Sequence, residues 1–357
     1  MKKIILLLTI VLFVLLGCKK HGIDGTKTDV MTIKIPLVTW GGYAALFAAN
    51  NGAVATEDSL FYKYGKFKVE LIQEENPANQ LQGFANGTYP IIWSTMDMLP
   101  LHYDALSKDP RTIPKVIGLF DYSAGGDGII VRNNITKGAD FKGKKIVTAQ
   151  YTPSHFFILW YLNENGFTTK DVDMIYAADA IAAKDTYIAD KNIDVCVTWS
   201  PFIYDITDKN KETYVQGSIL HTSTLQENPA YGLIADIYLA RADFVEKNPE
   251  VVKAFTKAMI DGYDLFVKDK QKVANDIASL FGIKGGVEEV MLMFGDVTIA
   301  GKEENKTFFD ETNNSSAYNI FKLSTDLYKK NGNIIRQDFN VDPKEVIAKD
   351  AMLESIK

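Results

Sequence analysis

Cysteine is nearly missing from this chain: 357 residues hold two, Cys18 and Cys196. That excludes a disulfide framework and any cysteine-based metal centre. Histidine is as scarce, with four residues at 21, 102, 155 and 221, and none stands at a metal-ligand spacing from another. No excess of positive charge exists either. Lys plus Arg number 39 against 45 Asp plus Glu, the net charge is −6, and no long basic patch appears, which argues against a nucleic-acid partner. Beyond residue 18 no apolar run approaches the length of a membrane span, so a sensory ectodomain tied to a transmembrane helix is excluded. No repeat of 20–50 residues recurs, and no low-complexity tract interrupts the chain.

What is present begins with a leader. Lys2 and Lys3 precede an apolar run from Ile4 to Leu16, of secretory-signal length. It ends Leu15-Leu16-Gly17-Cys18, which resembles the bacterial lipobox and implies a diacylated Cys18 as the mature N-terminus. Residues 1–17 are therefore read as a signal peptide and 18–30, polar and non-periodic, as a lipidated tether. Cys196 lies in an apolar strand, Ile193 to Trp199, and reads as a buried, inert thiol.

From residue 31 on, strands and helices alternate, the pattern of parallel α/β sheets. Strands are expected at 32–38, 67–73, 89–95, 115–121, 128–132, 144–149, 173–177, 193–198 and 232–239. Helices are expected at 43–50, 76–86, 97–107, 153–165, 180–190 and 201–208. A mostly helical C-terminal third follows, at 249–268, 271–281, 287–294, 317–330 and 343–355. So many residues exceed what one core holds, and two lobes are expected. Open α/β sheets bind ligands beyond the carboxyl ends of their strands, so the turns there supply the candidate site. They contribute Trp40, Gly42 and Tyr43; Thr95 and Asp97; Asp127; Gln150, Thr152, Ser154 and His155; and Trp199. Thr152-Pro153 opens a helix whose free N–H groups suit an anion, with the Thr152 and Ser154 hydroxyls as further donors. Asp97 and Asp127 suit a cationic or N–H-rich group, and Trp40, Tyr43, Tyr151 and Trp199 offer ring faces to it. Asp97 stands equally well as a helix-dipole complement, and Asp127 as the cap of a surface hinge turn.

The motifs Phe141-Lys142-Gly143-Lys144-Lys145-Ile146, Thr152-Pro153-Ser154-His155 and Val197-Thr198-Trp199-Ser200-Pro201-Phe202, in this order and spacing, resemble the solute-binding proteins of nitrate/sulfonate/taurine-type ABC importers. Gly41-Gly42-Tyr43-Ala44, the stretch Asn248 to Phe255 and Asn305-Lys306-Thr307-Phe308-Phe309 extend the similarity over residues 31–355. The stretch Asp121 to Ile129 further resembles a branch found beside urea-carboxylase-type genes. The resemblance implies an α/β, two-lobed periplasmic-binding-protein type II fold with an interlobe ligand cleft. Lobe 1 would comprise 31–124 and 235–357, lobe 2 would be 125–234, and the crossings would fall at Ser123–Asp127 and Pro229–Gly232. It implies a monomeric, membrane-anchored lipoprotein of the cell envelope, facing the periplasm or exterior, that delivers a small solute to ABC permease subunits without a cofactor or metal. The solute class is taurine or aliphatic sulfonate-like, or guanidine or urea-like. The alternative is a thiamine-related pyrimidine-precursor binder, or an enzyme on the same fold. An enzyme is not expected, because His155, the histidine near these turns, has no evident Ser or Cys nucleophile partner in the sequence.

Overall fold

The computed structural model describes residues 30–132, 134–223, 232–332 and 334–357. Cys18 and the leader lie outside the described residues. In β1 (Thr32–Leu37) the sequence alternates, and Ile33, Ile35 and Leu37 turn inward while Lys34 faces out. It pairs in parallel with β2 (Lys68–Gln73). Beside this pair stand β3 (Ile91–Thr95), β4 (Pro114–Ser123), β10 (Ala235–Arg241) and β11 (Val297–Ile299), in the order β11-β4-β10-β3. In that sheet β10 runs antiparallel to both its neighbours. A five-stranded sheet holds β5 (Asp127–Val131), β6 (Lys145–Ala149), β7 (Asp173–Ala177), β8 (Val195–Trp199) and β9 (Ser218–Thr222), in the order β7-β6-β8-β5-β9. All residues of β3, β5 and β8 are buried, as expected of apolar strands covered on both faces.

The chain passes from the first group of strands to the second between β4 and β5, through Ser123–Asp127. It returns between β9 and β10, where residues 224–231, including Pro229, lie outside the described residues. The two passages are tied together. Ser123 and Ser223 share a hydroxyl hydrogen bond of 2.8 Å, and the Gly125 N–H donates to Ser223 Oγ at 3.1 Å.

The Pro153–Glu164 helix buries Phe156, Phe157, Ile158, Leu159, Trp160 and Leu162, so it is apolar nearly all round, the mark of a core helix. It packs on β5, β6 and β8 on one side and on the Ala317–Lys330 helix on the other. Several expected helices are found with ends shifted by a residue or two, as with Leu99–Leu106 in place of 97–107. The helix expected over 343–355 is instead a single turn at Pro343–Glu345 and a short helix at Asp350–Ser355. Between them the backbone runs beside β4: the Val116 N–H donates to Val346 O, and the Ala348 N–H to Val116 O. Those ladder bonds replace helical ones. Among the described residues no helix is long and apolar enough to cross a membrane.

Candidate functional site

Three neighbouring strands place three polar side chains level with one another. Asp236 on β10 lies opposite Thr95 on β3 and opposite Asp121 on β4, and cross-strand partners share a face. All three are buried. Trp40, just beyond β1, donates its indole N–H to Asp121 Oδ2 at 3.2 Å, and Trp93 on β3 donates its own to Asp236 Oδ1. Gly42 makes the first of these bonds possible. A Cβ there would sit 1.8 Å from Asp121 Oδ2 and 2.3 Å from Trp40 Nε1. The two carboxylates of Asp121 and Asp236 face each other.

Two more carboxylates approach this group. Asp97 follows β3 and is fully buried; neither of its oxygens has a hydrogen bond of good geometry, although the Thr95 and Tyr328 hydroxyls lie beside it. Asp127 opens β5 opposite Trp199 on β8, and its N–H donates to Ser123 Oγ at 3.1 Å. Its Oδ1 has no partner within the protein. Asp127 is 3% exposed, so the expected surface turn is in fact the buried start of a strand. Asp127 and Asp236 line, with Trp40, Trp93, Trp199 and Pro153, a small cavity of about 10 Å³.

Burial governs the charge state of this cluster. It pushes the Asp97 and Asp127 carboxyls up to about 7 and raises Asp121 as well, with neighbouring carboxylates adding to the rise. Asp236 is held well above the usual carboxylate range, by burial and then by Asp121. No basic side chain answers them. Among the described residues Arg241 is the one buried Lys or Arg, and it binds Asp243 at 2.9 Å and the Ala85 carbonyl at 2.7 Å instead. Burial pulls His155 down to about 4, which leaves it neutral.

The turn before the Pro153–Glu164 helix is arranged differently from the expectation. The Thr152 hydroxyl donates to the Ala149 carbonyl at 2.7 Å, so its proton is spent inside the turn and it makes no cap bond. Ser154 Oγ is buried without a partner, and His155 Nδ1 accepts the Tyr151 N–H at 3.3 Å. Tyr151 has φ +59° and is 46% exposed. With Gln150 it lines a separate, largely apolar groove of about 530 Å³ against Leu81, Leu101 and His102. Tyr43 is buried with its ring edge-on to Phe120 at 5.3 Å, and its hydroxyl has no partner.

Side-chain contacts also run between the two groups of strands. The Trp199 indole N–H donates to the Thr39 carbonyl at 3.0 Å. Ser200 Oγ donates to Asp296 Oδ2 at 2.9 Å, and the Tyr204 hydroxyl reaches the same oxygen. Lys211 Nζ meets Glu289 Oε2 at 2.7 Å.

Sequence reading thus found Trp40, Gly42, Thr95, Asp97, Asp127 and Trp199 around the cluster, but placed Gln150 and Tyr151 with them when they face the outer groove. It missed Trp93, Asp121 and Asp236. The available signal was a carboxylate embedded in an otherwise apolar strand, as in Ile117-Gly118-Leu119-Phe120-Asp121 and Ile234-Ala235-Asp236-Ile237.

Two groups of strands joined by two passages, with a polar, buried site between them, define a solute-binding protein with the α/β type II periplasmic-binding-protein fold. Residues 51–273 match the family described as NMT1/THI5 like, and the chain belongs to that family, whose solute-binding members serve ABC importers. It is 25% identical over 246 residues to the taurine-binding periplasmic protein of Escherichia coli (strain K12), covering 67% of this chain and 72% of that protein. In fold it is similar to the periplasmic aliphatic sulphonate binding protein SsuA from Escherichia coli, with a TM-score of 0.67 at 16% identity, over 89% of this chain and 97% of that one. The desulfurization enzyme DSZB also has a similar fold, with a TM-score of 0.59 at 15% identity, over 91% of this chain and 99% of that one.

Proposed function

We propose that this chain is a lipid-anchored, extracytoplasmic binding protein that captures a small cationic, N–H-rich solute, guanidine-like in chemistry, and delivers it to an ABC permease. The observation that carries this reading is the cluster itself: Asp121, Asp127 and Asp236 beside Trp40, Trp93 and Trp199, with Asp97 near Asp127 and no basic side chain among them. A guanidinium supplies the missing charge, donors for the unpartnered carboxylate oxygens, and a flat face for the indoles. Lobe 1 (31–124 and 235–357) and lobe 2 (125–234) would close on it about the tied passages at Ser123–Asp127 and near Gly232. A second reading is favoured by Ser154, whose buried hydroxyl has no partner at the start of a 12-residue helix. An aminosulfonate such as taurine would set its ammonium among the carboxylates and its sulfonate at that helix end.

A thermal-shift screen of guanidine, methylguanidine, taurine, urea, pyrimidines and amine-free alkanesulfonates tests this. Ligand at 100 times its Kd adds about 2.7 kcal/mol of stability. Guanidines are expected to stabilise and amine-free sulfonates to do nothing; stabilisation by a plain sulfonate alone would refute the cationic reading. The anchor is tested apart. Cys18→Ser is expected to leave an uncleaved precursor or a released protein, and a mature-sized band that stays with membranes would refute lipidation at Cys18.

A further inference from the structure

We infer that Asp121 and Asp236 form a proton-sharing pair that gives up its proton when the solute enters, so that the site selects for charge and N–H donors together; this rests on the cationic-solute reading above. The pair is built for that exchange. The two residues stand opposite each other on β4 and β10, and each has one oxygen fixed by an indole N–H, from Trp40 and from Trp93. Asp121 Oδ1 is buried and receives no hydrogen bond from the protein. Two carboxylates in contact and out of water cannot both ionise without a compensating charge.

Nothing packed around the pair compensates. Asp127, Tyr43 and Tyr238 lie next to it, with Asp97 and Asp296 beyond, near Asp127, and Glu75 near Tyr43, and each is acidic or neutral. No three of the described carboxylate, histidine or cysteine side chains converge as a metal would require. Without a bound cation, a proton therefore stands where one would. When a guanidinium enters, one carboxylic O–H bond breaks, the proton passes to the buffer, and the solute's N–H groups bond to the oxygens that are freed. The solute stays protonated throughout.

Three probes separate charge from donors. Guanidinium chloride at millimolar concentration carries both, tetramethylammonium chloride carries charge alone, and urea carries donors alone. Calorimetry at pH 6, 7 and 8, in phosphate and in Tris, reads affinity and proton release together. Guanidinium is expected to bind about tenfold more tightly per pH unit for each proton released, with an enthalpy that differs between the buffers. Tetramethylammonium should bind at least tenfold more weakly, and urea, if it binds, without pH dependence. Asp121→Asn should remove about one released proton and lower the slope of the profile by that one proton, while Asp97 and Asp127 keep theirs. Should that variant fail to fold, Trp40→Phe serves: it removes a donor to the ionised form, and its profile should move to higher pH.

A guanidinium affinity that is flat with pH and indifferent to buffer would overturn the proton-sharing pair while leaving the cationic site intact. Tetramethylammonium binding as tightly as guanidinium would overturn the donor requirement. Binding of taurine or a plain sulfonate with no response to guanidinium would overturn both the pair and the reading beneath it.

Discussion

Replacing Asp127 with asparagine is expected to weaken solute binding by about 10- to 150-fold and to raise the stability of the ligand-free protein above pH 7. The first effect is the loss of charge-assisted hydrogen bonds in a water-poor site, each worth about 1.5–3 kcal/mol. The second follows from burial. Folded Asp127 titrates near 7, against about 3.9 for an unfolded aspartate. Between those values the folded chain keeps a proton that the unfolded chain has lost, so stability falls as pH rises from about 4 to about 7. Asparagine does not titrate and escapes that fall. Melting temperatures at pH 5 and pH 8 should therefore differ less in the variant than in the parent, the other buried carboxyls keeping their share of the fall, with calorimetry giving the affinity loss. Reduced stability at both pH values with unchanged affinity would reduce Asp127 to a residue that merely holds the passage from β4 to β5.

That prediction differs from what the sequence alone suggests, and the difference is instructive. Between Gly126 and Gly128, Asp127 looks like the cap of an exposed turn, for which substitution would cost little. In the structure Gly126 is there because Trp40 fills the space above it; a Cβ would lie 2.1 Å from the indole. The glycine records a close approach from a residue 86 positions earlier, which no local pattern can express. Asp121 and Asp236 were hidden for the same reason. Each reads as one polar position in an apolar strand, and their partnership exists only because β10 inserts beside β4 after more than a hundred residues of the second sheet.

What was legible were features set by local chemistry. Proline at the first turn fixed the starts of the helices at Pro77, Pro153 and Pro249. Apolar runs bounded by turns fixed β3, β6, β7 and β8, and the turns at their carboxyl ends led to Asp97 and Trp199. The short helices Leu60–Gly65, Ala242–Lys247 and Lys302–Phe308 went unseen, as did the strands β9 and β11. Helices of two turns carry too little periodicity to announce themselves and exist by virtue of packing. β11, three residues long, is held in place by pairing with β4.

The strongest steric test falls on Gly42. Its φ is not positive, so alanine is acceptable to the backbone and the whole effect comes from the added Cβ. That carbon would lie within 1.8 Å of Asp121 Oδ2 and 2.3 Å of Trp40 Nε1, the two atoms of one hydrogen bond. Either the carboxylate or the indole must leave. Overpacking a filled core costs about 1–3 kcal/mol, and breaking a hydrogen bond to a charged group about 1.5–3 kcal/mol more. Gly42→Ala is thus expected to destabilise the protein by about 2.5–6 kcal/mol and to weaken solute binding at least 100-fold, because Asp121 no longer faces Asp236. A double-mutant cycle isolates the cause. Asp121→Ala removes the obstructing carboxylate, so the Gly42→Ala/Asp121→Ala protein should be more stable than the two single changes predict, by about 1–3 kcal/mol. Strict additivity in urea titrations of the four proteins would mean that the alanine methyl is accommodated elsewhere and that Gly42 does not make room for the Trp40–Asp121 bond.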